Sequence, residues 1–147
     1  MANSARSKIC QAYAEKFKEI KGVAPYTVNL FSNVSTRMRF FDQVEDYPTV
    51  IVTPGRETRE YLPGEFKWAN LSITVRVYVY NEDNPQSDLE NILSNLEMVI
   101  DDNNYLVYDS LNQLAITDSR IVNISTDEGV MTPYGIGEII LLVRYAI

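Results

Sequence analysis

The chain has 147 residues, 46% of them hydrophobic, a net charge of −7, one cysteine and no histidine. Without histidine there is no Ser-His-Asp or Cys-His machinery, no histidine-held zinc or iron, and no side chain that shuttles protons near neutral pH. A lone Cys10 excludes an internal disulfide. The expectation is a single domain, 1–147, large enough to bury one core, with no catalytic residues, no cofactor and no metal. The longest apolar run, Ile139–Val143, is far shorter than the ~20 residues of a membrane span. The N-terminal Met1–Arg6 lacks the apolar core of a secretory signal, so no membrane partner is expected.

Charge is divided unevenly. Residues 1–41 hold seven Lys/Arg against two Glu, and residues 42–147 hold six against eighteen. An acidic surface disfavours nucleic acid as a bulk partner, because phosphate contacts need Lys and Arg. It also fits simple solubility, or a bipolar subunit whose basic face meets an acidic face of its neighbour.

In chain order, a first helix is expected from Asn3 or Ser4 as cap to Lys21. Ile9, Tyr13, Phe17 and Ile20 form its stripe, Gly22 is a left-handed stop, and Pro25 prevents continuation. Cys10 shares the stripe's side and reads as a small buried hydrophobe. Tyr26–Phe31 reads as a short strand. Arg37–Phe41 is strand or loop, with two phenylalanines inside and two arginines in water; a stacking patch for nucleic acid is the weaker reading. Thr49–Thr53 is a compact strand. After Pro54-Gly55 comes a stretch dense in both charges, Arg56–Tyr61, then a second turn signal at Pro63-Gly64. Together these predict a charged β-hairpin projecting from the sheet, tipped by Pro63-Gly64.

The segment Leu71–Tyr80 alternates without a break: odd positions are aliphatic, even ones polar or tyrosine. Such a strand has one dry face and one wetter face. After the break at Asn81–Asn84 an amphipathic helix carries Leu89, Ile92, Leu93, Leu96, Val99 and Ile100 as one stripe. Two starts compete. Ser87 with Glu90 fits a capping box, and Asn84 with Pro85 at the first helical position fits equally. The helix stops near Asp101–Asn104. Two aspartates oppose its dipole there, and an asparagine is expected to supply a left-handed stop. Tyr105–Tyr108 reads as a short strand, and Leu111, Leu114 and Ile116 as a loop partly packed on the core. Arg120–Thr126 is a strand. The last strand, Glu138–Ile147, is apolar on both faces except at Glu138 and Arg144, which predicts a central position.

Strands in runs and two amphipathic helices predict an α+β fold: a largely antiparallel mixed sheet, both helices on one face, and the charged hairpin projecting. The other face would show Ser72, Thr74, Arg76, Tyr78 and Tyr80. With ten tyrosines in the chain, that face suits burial against another subunit.

The succession of N-terminal helix, Tyr47-Pro48-Thr49-Val50-Ile51-Val52, a charged hairpin ending in Pro-Gly, Leu71–Tyr80, an acidic break and a helix beginning Asp88-Leu89-Glu90 resembles the tail terminator proteins of tailed bacteriophages. These include the lambda-type minor tail protein U and related tail-completion proteins. The resemblance runs over about residues 5–147 and is strongest over 47–100. It implies a structural virion protein, made in the host cytoplasm, that forms a hexameric ring on the last ring of the tail tube. The ring would stop polymerisation and offer the surface that joins the head–tail connector protein. The implied partners are copies of itself, the tail tube protein and the connector, with no sequence-specific nucleic acid. The resemblance carries no catalytic residues. By position and by surface character, the candidate contact residues are Arg56, Glu57, Arg59, Glu60, Tyr61, Phe66, Trp68, Arg76, Tyr78 and Tyr80. A ring needs two different patches on each subunit.

Three alternatives stand beside this reading. One is another head–tail connector or tube-associated protein. A second is a metal-dependent hydrolase using Asp101, Asp102 and Asp109, whose oxygens suit magnesium or calcium. A third is an acidic DNA mimic, since residues 82–128 hold eleven Asp/Glu against one Arg.

Overall fold

The computed structural model describes residues 4–39 and 41–147. Helix α1 spans Ala5–Phe17, followed by β1 (Val34–Ser35), a short 3-10 turn at Phe41–Gln43, β2 (Thr49–Leu62) and β3 (Phe66–Tyr80). Then come α2 (Pro85–Asp102), β4 (Val107–Asp109), β5 (Leu114–Ala115), β6 (Asp118–Thr126) and β7 (Tyr134–Ala146). Five strands form one sheet in the order β1-β2-β3-β7-β6, and β4 and β5 form a separate ribbon. Every pairing is antiparallel except β1 with β2.

The alternation of β3 does what its sequence predicts. Leu71, Ile73, Val75 and Val77 are fully buried against both helices, while Ser72, Thr74 and Arg76 are half-buried on the opposite face. Their core partners include Ile9, Tyr13 and Phe17 of α1 and Leu89, Leu93 and Leu96 of α2. The β7 strand lies between β3 and β6, the central place its two apolar faces predict, but it starts at Tyr134, earlier than expected. A glycine pair explains how α2 comes so close. A Cβ on Gly137 would lie 2.8 Å from Leu89 Cδ1, and one on Gly135 would lie 2.7 Å from Val79 Cγ2. Cys10 is buried among these side chains, and desolvation pushes its thiol up to about 12, so it acts as a hydrophobe.

Several expectations are corrected. The first helix stops at Phe17, not Lys21, because the Leu30 amide bonds the Ile20 carbonyl and the chain tightens through Lys18–Ile20. Gly22 is left-handed (φ +77°), but it serves a bridge between Lys21 and Asn29. Ser4 is the cap, its hydroxyl accepting from the Ser7 amide; Asn3 lies outside the described residues. Tyr26–Phe31 is not a strand. Instead the Asn95 side chain, buried on α2, accepts from the Thr27 amide and donates to the Thr27 hydroxyl, pinning an irregular segment to the helix. Arg37–Arg39 is irregular rather than extended, and Phe40 lies outside the described residues.

At α2 the competing start prevails: Asn84 Oδ1 accepts from the Ser87 amide and Pro85 begins the helix. The reason lies upstream. Asn81 Oδ1 accepts from the amides of Asp83 and Asn84, which bends the break toward that start. At the far end Asn103 has φ −124°, not a left-handed value. It ends the helix by donating its side-chain amide to the Val99 carbonyl at 2.8 Å. Of the three loop apolars, only Ile116 is buried; Leu111 and Leu114 are exposed.

Two stability measurements check this packing. Leu93→Ala removes a buried leucine between α2 and the sheet, with an expected loss of about 2–5 kcal/mol in chemical denaturation. Gly137→Ala forces its methyl into Leu89, with an expected loss of about 1–3 kcal/mol by overpacking. An unchanged midpoint in either variant contradicts the close approach of α2 to the sheet.

Candidate assembly surface

The helix-free face of the sheet runs from β2 across β3 and β7 to β6. Register places Trp68, Asn70, Ser72, Thr74, Arg76, Tyr78 and Tyr80 of β3 on it, opposite Ala146, Arg144, Leu142, Ile140, Glu138, Ile136 and Tyr134 of β7. Ile140 and Leu142 are only half-buried, so the middle of this face is apolar and reachable. One end is already covered. Val44, Ile51 and Tyr78 make a second small cluster, with Tyr47 and Ile136 packed on it. Tyr78 is thus an internal residue, 4% exposed, because the segment around Val44–Tyr47 folds over it. Tyr80 sits at the rim, 5.1 Å from the Tyr134 ring centre, and donates to Glu82 at 3.0 Å. Hydrogen bonding to the Glu82 carboxylate pushes its phenol up.

The hairpin is the second element. From Pro54 to Lys67 every residue but Glu57 is exposed. The ladder of β2 on β3 continues to Leu62 opposite Phe66, with a bulge between Pro54 and Glu57 where the arm leaves the body. Gly64 (φ +83°) and Glu65 (φ +66°) make the tip. The arm ends in bare hydrophobic surface: Tyr61, Leu62 and Phe66 are 66%, 46% and 63% exposed. These three side chains form an exposed apolar cluster on an arm that has no core of its own.

The charged residues of the arm divide between two jobs. Glu57 is internal, only 8% exposed; it takes Arg59 Nε at 3.0 Å, the Tyr145 hydroxyl, and Arg6 at 3.9 Å. This node ties the arm's root to α1 and β7, and burial with the Glu57 hydrogen bond pushes the Tyr145 phenol up. Glu60 instead lies on the helix-free face, bonded to Arg144 at 3.2 Å and Asn70 at 3.0 Å. The Arg144 guanidinium also lies 4.8 Å from the Trp68 ring centre. Arg76 pairs with Glu138 at 3.0 Å in the middle of the same face. Exposed pairs such as Arg144–Glu60 contribute at most about 1 kcal/mol each, so they orient the surface more than they hold the fold. The ten candidate residues all lie on β2 and β3, but they spread from the arm to the far end of β3 and onto both faces. The sequence does not reveal that Glu57 and Tyr78 face inward, which depends on contacts from residues far along the chain.

The acidic candidates are not brought together. Asp109 accepts from Asn112 and from Lys8 Nζ at 2.9 Å, which lowers its carboxyl to about 2. Asp101 and Asp102 are exposed at the end of α2. Among the described residues no three acidic or thiol side chains are placed to hold a metal ion. An open groove of about 560 Å³ runs along α1, lined by residues such as Lys8, Glu15, Lys18 and Tyr108.

Comparison with known proteins bears on what this surface belongs to. A solved chain from the virion of a native gene transfer agent particle superposes with a TM-score of 0.64, over 99% of this chain and 100% of that one, at 10% identity. That similarity is one of fold. The tail tube terminator protein p142 of Escherichia phage T5 is 35% identical over 149 aligned positions, covering 95% of this chain and 92% of the relative. The family model described as bacteriophage tail tube terminator protein matches residues 3–147. With the family matched over nearly the whole chain and a relative 35% identical along 95% of it, the chain belongs to the bacteriophage tail tube terminator proteins.

Proposed function

We propose that this protein closes the tail tube as a ring, a hexamer by resemblance to its family, and thereby stops tube polymerisation and offers the surface that the head connector joins. The observation that carries this reading is the hairpin arm, whose apolar tip residues Tyr61, Leu62 and Phe66 stand largely exposed. A subunit that acts alone gains nothing from such an arm, whereas a ring subunit needs two unlike patches. The arm and the helix-free face supply two. Its partners are then copies of itself, the tail tube protein and the connector protein, and its place is the tail end of the virion, after synthesis in the host cytoplasm. The role is mechanical, so no enzymatic step is assigned to any residue.

Within this reading the contact residues are Arg56, Arg59, Glu60, Tyr61, Phe66 and Trp68 on the arm, and Arg76 and Tyr80 on the sheet face. Glu57 holds the arm's root in position, and Tyr78 supports the face from within.

The test has two arms. Particles made without this protein are expected to show overlong or unjoined tails in electron micrographs; tails of normal length joined to heads overturn the reading. The double variant Leu62→Ser/Phe66→Ser strips the tip of apolar area while leaving the core intact. Its melting temperature is expected to stay within a few degrees of the parent, because exposed substitutions usually cost less than about 0.5 kcal/mol. Ring yield by light scattering should fall at least tenfold. A full yield of rings removes the tip from the interface.

A further inference from the structure

We propose that the two free edges of the main sheet, β6 and the outer half of β2, pair with each other between copies of this chain, so that neighbours share one continuous antiparallel ladder. The proposal rests on the ring reading above and names the contact that makes the ring.

The topology carries the argument. Strands β2, β3, β7 and β6 are successive antiparallel neighbours, so β6 runs opposite to β2. Setting β6 of one copy beside β2 of the next therefore extends the same alternation and keeps all helices on one side. The contact joins two unlike edges, as a closed ring demands, and each copy keeps one edge of each kind.

Both edges are open. On β2, β1 covers only Val50 and Ile51, and Arg6 reaches the Gly55 carbonyl. Beyond that point the outer side of β2 has no strand partner among the described residues. The Asn81 amide bonds the Pro133 carbonyl, so the odd residues of β3 bond β7 and the even ones bond β2. Thr58, Glu60 and Leu62, opposite even residues, then bond inward, which leaves the Arg59 and Tyr61 amides pointing out. On β6, the Asp127 amide bonds the Ile136 carbonyl, and the two-residue alternation turns the amides of Ile124 and Thr126 away from β7.

Exposed edges are normally guarded by lysine, proline or a covering element. On β6 such guards are confined to the first half, with Asp118, Arg120 and the bulge at Val122, while Asn123–Thr126 holds no charge and no proline. Val122 and Ile124 are instead 59% and 39% exposed. The arm that would lie beside them brings the bare Tyr61 and Leu62. Exposed charges of both signs line the two edges, with Arg56, Arg59, Glu60 and Glu65 on the arm and Asp118, Arg120 and Glu128 along or just past β6.

The experiment uses the full chain with proline on one edge at a time. Ile124→Pro and Tyr61→Pro each remove an outward amide without taking a bond from the chain's own ladder. Each variant alone is expected to be folded by circular dichroism and monomeric by light scattering. Mixed in equal amounts they should give a dimer, because the intact β2 of the first meets the intact β6 of the second. Rings formed by either variant at parent yield, or a mixture that stays monomeric, overturn the proposal and leave the ring reading standing. A parent chain that never assembles, in solution or on tubes, overturns the ring reading itself. Should a proline variant not fold, Val122→Lys places a charge on the β6 edge. Hydrogen exchange should then show the amides of Arg59, Tyr61 and Ile124 protected at least tenfold in parent rings relative to monomeric Val122→Lys, and equal rates overturn the proposal.

Discussion

Thirteen consecutive residue pairs join β3 to β7, from Trp68 opposite Ala146 to Tyr80 opposite Tyr134, and the rest of the molecule is arranged around that ladder. Because side chains alternate on both strands, one register decision sorts two sets of residues at once. A one-residue slip would turn Leu71, Ile73, Val75 and Val77 out to water and bring Arg76 and Glu138 in. The apolar cost of that slip locks the register, and with it the position of both helices. Gly135 and Gly137 belong to the same constraint: they fall on the helix side of β7 and let α2 settle at backbone distance.

Once one face is committed to the helices, the other is left facing outward. Its residues are half-buried rather than bare because strands on either side flank them and the segment around Val44–Tyr47 covers one end. The hairpin extends this face beyond the core. It stays extended because Glu57 gathers Arg59, Arg6 and the Tyr145 hydroxyl at the bulge where the arm departs. Breaking one partner of such a buried node leaves charge without compensation, so the node fixes the arm's direction more surely than the exposed pairs farther out. An arm held in one direction before binding would lose little entropy if it docks as proposed above.

Asp109 spends its charge on Lys8 and Asn112, holding the β4–β5 ribbon to α1. Asn95 does similar work on the other side, pinning the Thr27 segment to α2. Both are polar side chains used as internal ties.

The sequence by itself determined the elements whose signals are local and periodic. The strict alternation of β3, the apolar stripe of α2, the Pro63-Gly64 turn and the two-faced apolar β7 each point to one answer, because a period of two or of 3.6 residues is written in neighbouring positions. It also supported the choice of α+β, since strands come in runs. What the tertiary structure decided were the outcomes that depend on distant partners. The α1 helix ends early as the chain tightens and Leu30 bonds the Ile20 carbonyl, and Tyr26–Phe31 is irregular because Asn95 takes its amide. Glu57 and Tyr78 face inward for the same reason: the groups that bury them lie dozens of residues away, and no local pattern records a contact made across the fold.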